Sequence, residues 1–180
     1  TGRFFAAEHD GAAPDIVVLG KALGGGVLPL AACLARDELN VAGAFALGHY
    51  THEKNPVTAA AALATLDVIE RDDLVANAER VGAHALQRLH DLKARHPLVG
   101  DVRGRGLLLG LDLVQDRDSK APARAAAEQV LYHALSRGLS FKTTMGNVLT
   151  LTPPLTVTVA QMDLAIDILD EGLAAVQPGR

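Results

Sequence analysis

The sequence is poor in several things that would each have pointed somewhere. It has one cysteine, Cys33, no tryptophan, and only 3% aromatic residues in 180, so Ala and Leu supply most of its apolar mass. A single cysteine excludes an internal disulfide and suits a reducing, cytoplasmic setting. The formal net charge of −4 leaves no lysine- or arginine-rich stripe for a phosphate backbone, which argues against a nucleic-acid partner. Long hydrophobic runs are missing too. The longest, such as Ala59 to Leu66, fall far short of the roughly 20 residues that a membrane-spanning helix needs. Thr1 is preceded by no charged-then-apolar signal pattern, and the sequence reads as a piece of something longer.

What is present is the composition of a soluble globular protein, 49% hydrophobic and 21% charged. "PDIVVLG" (Pro14 to Gly20) is a β-branched run between turn residues, the pattern of a strand covered on both faces in a parallel sheet. "LPLAACLA" (Leu28 to Ala35) reads as a second strand, with Cys33 a small core residue. Asn55-Pro56 places an N-cap before a first-turn proline, predicting a helix over 57–70. Asp72 and Asp73 open another, with Leu74, Ala78, Val81, Ala85, Leu89 and Leu92 on one face and Pro97 closing it.

From Val99 the elements shorten. "DVRGRGLLLGLDLV" is strand material around glycines, and 122–137 is an amphipathic helix stopped by Gly138. "LSF" (139–141) and "VLTLT" (148–152) are expected as short strands around the turn Met145-Gly146-Asn147. Thr158 and Gln161 form a capping box that starts the last helix, through Ala174.

One lysine stands out. Lys21 follows the strand "IVVLG" and precedes Ala-Leu and three glycines. Desolvation beside a buried strand favours the neutral amine, and a neutral amine is a nucleophile that attacks carbonyls. By spacing alone, Lys21 can equally snorkel from a strand end into water.

"PDIVVLGKALGGGVLP" resembles the lysine segment of the class III, or ω-type, pyridoxal-phosphate aminotransferases. "TGRFFAAEHDGAAPD" resembles the stretch leading into it, "GHYTHEKNPVTAAAALATLDVIE" the threonine loop and following helix, "VRGRGLLLGLDL" the arginine-glycine strand, and "GNVLTLTPPLTVT" the C-terminal strand. The resemblance implies an α/β fold: the end of a large fold-type-I domain over 1–70, then a small C-terminal α/β domain over 71–180. It implies a homodimer with the active site at the subunit interface and pyridoxal 5′-phosphate as cofactor. Lys21 would be its Schiff-base lysine, and Thr51 would hold the cofactor phosphate of the neighbouring subunit.

The same resemblance places the start of this chain just after the aspartate that pairs with the pyridine nitrogen. The earlier glycine-serine/threonine phosphate loop and the ring-stacking aromatic are likewise outside it. The chain by itself is therefore expected to bind the cofactor weakly or not at all. Many relatives carry an arginine for the substrate carboxylate where Thr150 stands. Here His49, His52, Lys54 and Lys142 are candidate substrate-binding groups, better matched to a compact anion. The expected reaction is amino transfer from an amine or amino acid to an oxo acid. One alternative is an ammonia- or phospho-lyase of the same family acting on an amino-phosphonate or phospho-amine. Another is a non-catalytic dimerisation module, which would have no reason to retain Lys21. No metal is expected, because His49 and His52 lack a third ligand. Arg103 and Arg105 are expected in interdomain packing or a turn.

Overall fold

The computed structural model describes residues 1–45, 48, 51 and 53–176. The chain is α/β and divides into two compact units, one of residues 7–74 and one of residues 75–180 together with 1–6.

In the unit of residues 7–74, β1 (Ile16–Leu19) pairs antiparallel with β2 (Ala32–Ala35), Ile16 opposite Ala35 and Leu19 opposite Ala32. The expected parallel strand covered on both faces is thus corrected. Ile16 is 55% exposed and Val18 76%, because a ribbon of two strands cannot cover both of its faces. A β-branched run marks a strand, but the number of layers around it is set elsewhere. Cys33, expected in the core, is exposed on β2 for the same reason. Helix α1 (Pro56–Arg71) starts where its cap predicts: Val57 N–H donates to Asn55 Oδ1 at 2.9 Å, and Pro56 fills a position whose N–H would have had no partner.

The unit of residues 75–180 with 1–6 holds nearly all of the core. Its elements are α2 (Leu74–Arg95), β3 (Val99–Arg105), β4 (Leu108–Leu113), α3 (Arg124–Ser136), β5 (Lys142–Thr144), β6 (Val148–Leu151) and α4 (Val159–Val176). The four strands form one antiparallel sheet in the order β3-β4-β6-β5. Strand alternation sends Leu109, Leu111, Leu113, Leu149 and Leu151 to one face, where α2, α3 and α4 cover them. Leu89, Leu92, Ile166 and Leu169 are completely buried there, each stabilising the fold by roughly 2 kcal/mol relative to exposure. Within this unit the opposite face carries Asp101, Arg103, Lys142 and Thr144, all exposed.

"LSF" was expected as a strand, but β5 is Lys142–Thr144, three residues later. Leu139 and Phe141 pack against the core as the chain leaves α3, so their apolar spacing serves that packing and not a ladder. Among the described residues no helix is long and apolar enough to cross a membrane.

Helices α2 and α4 are also held by polar contacts. Asp163 Oδ1 lies 2.7 Å from His84 Nε2 and 2.5 Å from Arg88 Nη1, and Arg88 Nη2 donates to Asp167 at 2.6 Å. The His84 contact, then Arg88, holds the Asp163 carboxyl below its ordinary value of 3.8. A carboxyl lowered in the folded state contributes stability above its unfolded pKa, and this is lost as pH falls through the folded value. The fall in thermal midpoint between about pH 5 and about pH 3 is therefore expected to be smaller in Asp163→Asn than in the wild type. Equal falls in the two proteins would show that the pair adds nothing to acid sensitivity.

Candidate active site

Strand β1 ends at Leu19, Gly20 is extended, and Lys21 opens a single 3₁₀ turn, Lys21–Gly24. Lys21 has φ 53, in the left-handed region that costs a residue with a Cβ about 1 kcal/mol or more. The turn closes through Gly25, whose φ is 72 and whose N–H donates to the Ala22 carbonyl at 2.9 Å. A Cβ on Gly25 would lie 3.0 Å from Thr65 Oγ1, so α1 passes directly against the turn and fixes it. The glycines therefore allow both the reversal and the close approach.

Lys21 is exposed, where a buried position was expected; the ribbon that carries it leaves its end in water. Among the described residues it has no hydrogen-bond or ion-pair partner. A strained backbone thus presents an unengaged primary amine from a braced glycine turn.

The other candidates are placed as follows. Thr51 is exposed in a turn of the same unit as Lys21. Lys54 has φ 58, and its Nζ lies 3.9 Å from Glu53 Oε1 with the side chain 88% exposed. His49 and His52 lie outside the described residues. Among the described residues no hydrogen bond joins Lys21 to Thr51 or Lys54.

Lys142 belongs to the other unit, and the displacement of β5 changes its meaning. As the first residue of that strand, it stands directly opposite Thr150 on β6. Thr144 Oγ1 is 2.8 Å from Thr150 Oγ1 on the same face. This hydroxyl pair was not anticipated; the signal for it was the Lys-x-Thr spacing of 142 and 144, hidden because the strand was expected earlier. Arg103, expected in interdomain packing or a turn, lies within β3. Its Nη1 donates to Asp101 at 2.9 Å and reaches Asp112 at 3.5 Å, and this holds the Asp101 carboxyl below its usual range.

Comparison with known proteins gives this geometry a context. Residues 1–173 match the family model described as aminotransferase class-III. The chain is 42% identical over 176 residues to (R)-1-hydroxy-2-aminoethylphosphonate ammonia-lyase of Vibrio splendidus, covering 98% of this chain and 37% of that protein. It is 43% identical over 181 residues to leucine/methionine racemase of Thermococcus litoralis, covering 100% of this chain and 40% of the other. Among solved structures, an amine transaminase from an uncultivated Pseudomonas species in its PLP-bound form superposes with a TM-score of 0.89 at 34% identity, over 97% of this chain and 41% of that one. The chain thus spans about two-fifths of the length of these relatives. It belongs to the class-III aminotransferase family.

Proposed function

We propose that this chain is part of a pyridoxal-phosphate enzyme that transfers an amino group from an amine or amino acid to an oxo acid, with Lys21 as the cofactor-linked lysine. The observation that carries this is the amine of Lys21, exposed, unengaged among the described residues and held at φ 53 on a glycine turn. That donor fits the group, whose aldehyde takes a primary amine and whose ring, when bound, withdraws electrons from the substrate carbon bearing nitrogen. Lys21 Nζ would accept the proton from that carbon and return it. Thr51 offers a hydroxyl and a backbone N–H to the cofactor phosphate of a neighbouring subunit, which makes the working form a homodimer. Residues up to about 70 would complete the cofactor-holding domain, and 71–180 would form the small domain. A single cysteine, Cys33, suits a cytoplasmic setting.

A second reading, elimination of ammonia or phosphate from an amino-phosphonate or phospho-amine, is favoured by one placement. Lys142, opposite Thr150, offers a compact cation, and Thr150 cannot form a planar two-pronged pair with a carboxylate. Similarity to an ammonia-lyase at 42% identity supports it. Both readings share the work of Lys21; they differ in where the nitrogen goes. Incubating the holoenzyme with (R)-1-hydroxy-2-aminoethylphosphonate separates them. Transfer predicts at most one equivalent of product per active site until an oxo acid is supplied, with the nitrogen then found on that acceptor. Free ammonia released without any oxo acid would replace the transfer reading by the lyase reading. A non-catalytic dimerisation role is disfavoured by Lys21 itself.

A further inference from the structure

We propose that the β4–α3 loop and the β5–β6 turn enclose a binding site for a small dicarboxylate that carries a hydroxyl group. All of its parts lie between Gly100 and Val148, inside the unit of residues 75–180 with 1–6. The inference does not rest on the reaction assigned to Lys21.

The site is a cavity of about 540 Å³, within the roughly 300–1,000 Å³ that holds organic ligands. Four cations line it, Arg103, Arg117, Lys120 and Arg124, against two carboxylates, Asp101 and Asp112. It is therefore positive in a chain whose net charge is −4. The carboxylates are already compensated, since Arg103 Nη1 donates to Asp101 at 2.9 Å and reaches Asp112 at 3.5 Å. Arg117 spends its donors on the carbonyls of Val99 at 3.2 Å, His96 at 3.0 Å and Lys93, which makes it part of the wall.

Lys120 and Arg124 are the unengaged cations. Both are exposed, and neither side chain has a hydrogen-bond or ion-pair partner among the described residues. A Cβ on Gly146 would lie 3.3 Å from Arg124 Cδ, so the stem of Arg124 rests against the β5–β6 turn, next to Asn147. Helix α3 gains nothing from this arginine, because Arg124 is its first residue and the helix dipole favours an anion there.

Asn147 completes the set. It is 7% exposed, and its Nδ2 donates to Asp112 Oδ1 at 2.6 Å and to the Leu113 carbonyl at 3.0 Å. Two acceptors fix which way the amide lies, so the atom left over is Oδ1. This acceptor belongs to a buried residue of the cavity wall and has no donor among the described residues. Solvation accounts for exposed cations, but not for an open acceptor in the same wall.

These groups select the ligand. Lys120 and Arg124 each take one carboxylate, Arg124 through its planar fork. Asn147 Oδ1 takes a donor, and a hydroxyl supplies one without adding a positive charge to a cavity that already has an excess.

The test is calorimetric titration of malate, succinate and inorganic phosphate into the holoenzyme, with no amine present, so binding is read without turnover. Malate is expected to bind, with succinate about 3- to 10-fold weaker for want of the hydroxyl. Phosphate should be weaker than malate, because it spans less of the cavity. Lys120→Ala and Arg124→Ala remove exposed side chains and should each weaken malate by about 10-fold. Arg80→Ala removes an exposed cation outside the cavity and should change it by less than about 2-fold. No malate binding, a loss of about 3-fold or less in either cavity variant, or an equal loss in Arg80→Ala would remove the site. Succinate binding as tightly as malate, or phosphate binding more tightly, would overturn the hydroxy-dicarboxylate assignment.

Discussion

Replacing Lys21 with alanine is expected to lower kcat of the holoenzyme by about 10⁴-fold, the upper end of what a positioned acid–base group supplies. The loss should fall on kcat and kcat/KM alike, because in the proposed role the amine would work on the reacting carbon and not on the distant end of the substrate. Lys21→Arg should be nearly as impaired: a guanidinium stays protonated and cannot take a proton, although it keeps the charge. Added small primary amines should restore part of the rate in Lys21→Ala by supplying the missing base from solution. Borohydride treatment of the wild type followed by peptide mass analysis should place the cofactor on the Lys21 peptide. Turnover in Lys21→Ala within 10-fold of wild type, or cofactor found on another lysine, would remove Lys21 from the reaction.

How far this site could be read from the sequence depended on how local each feature was. The cap at Asn55 and the capping box at Thr158 and Gln161 involve residues two or three apart, and both form as expected, with Thr158 N–H on Gln161 Oε1 at 2.9 Å and Gln161 N–H on Thr158 Oγ1 at 3.2 Å. The buried face of α2 is equally local, and Leu74, Ala78, Val81, Ala85, Leu89 and Leu92 are all 8% exposed or less. Lys21 stands out through its place at the end of an apolar strand and the resemblance of its segment, but its exposure does not, because burial of β1 depends on how many strands lie beside it. The same limit hid the exposure of Cys33. Lys142 was singled out for its charge, whereas its place opposite Thr150 required the register of a strand that starts three residues later than the apolar pattern suggests.

A second large effect is expected where no chemistry is involved. Gly82 lies in α2, where glycine is intrinsically about 1 kcal/mol worse than alanine, so helix propensity alone would make Gly82→Ala stabilising. The fold reverses that sign. A Cβ at Gly82 would lie 2.2 Å from both the carbonyl carbon and oxygen of Gly106, the residue of the β3–β4 turn with φ 52. Backbone cannot swing aside as the end of a side chain can. Gly106 is itself enclosed, since a Cβ there would come within 2.7 Å of the Thr1 carbonyl carbon. Relief must therefore come from moving α2 off the turn, which would loosen Val81 and Ala85, both fully buried on either side of Gly82. Gly82→Ala is expected to destabilise the protein by about 3 kcal/mol, the top of the usual overpacking range, read as a lower urea midpoint. A stability change of less than about 0.5 kcal/mol would mean that α2 and the turn can separate freely, and that the close approach is not what holds glycine at this position.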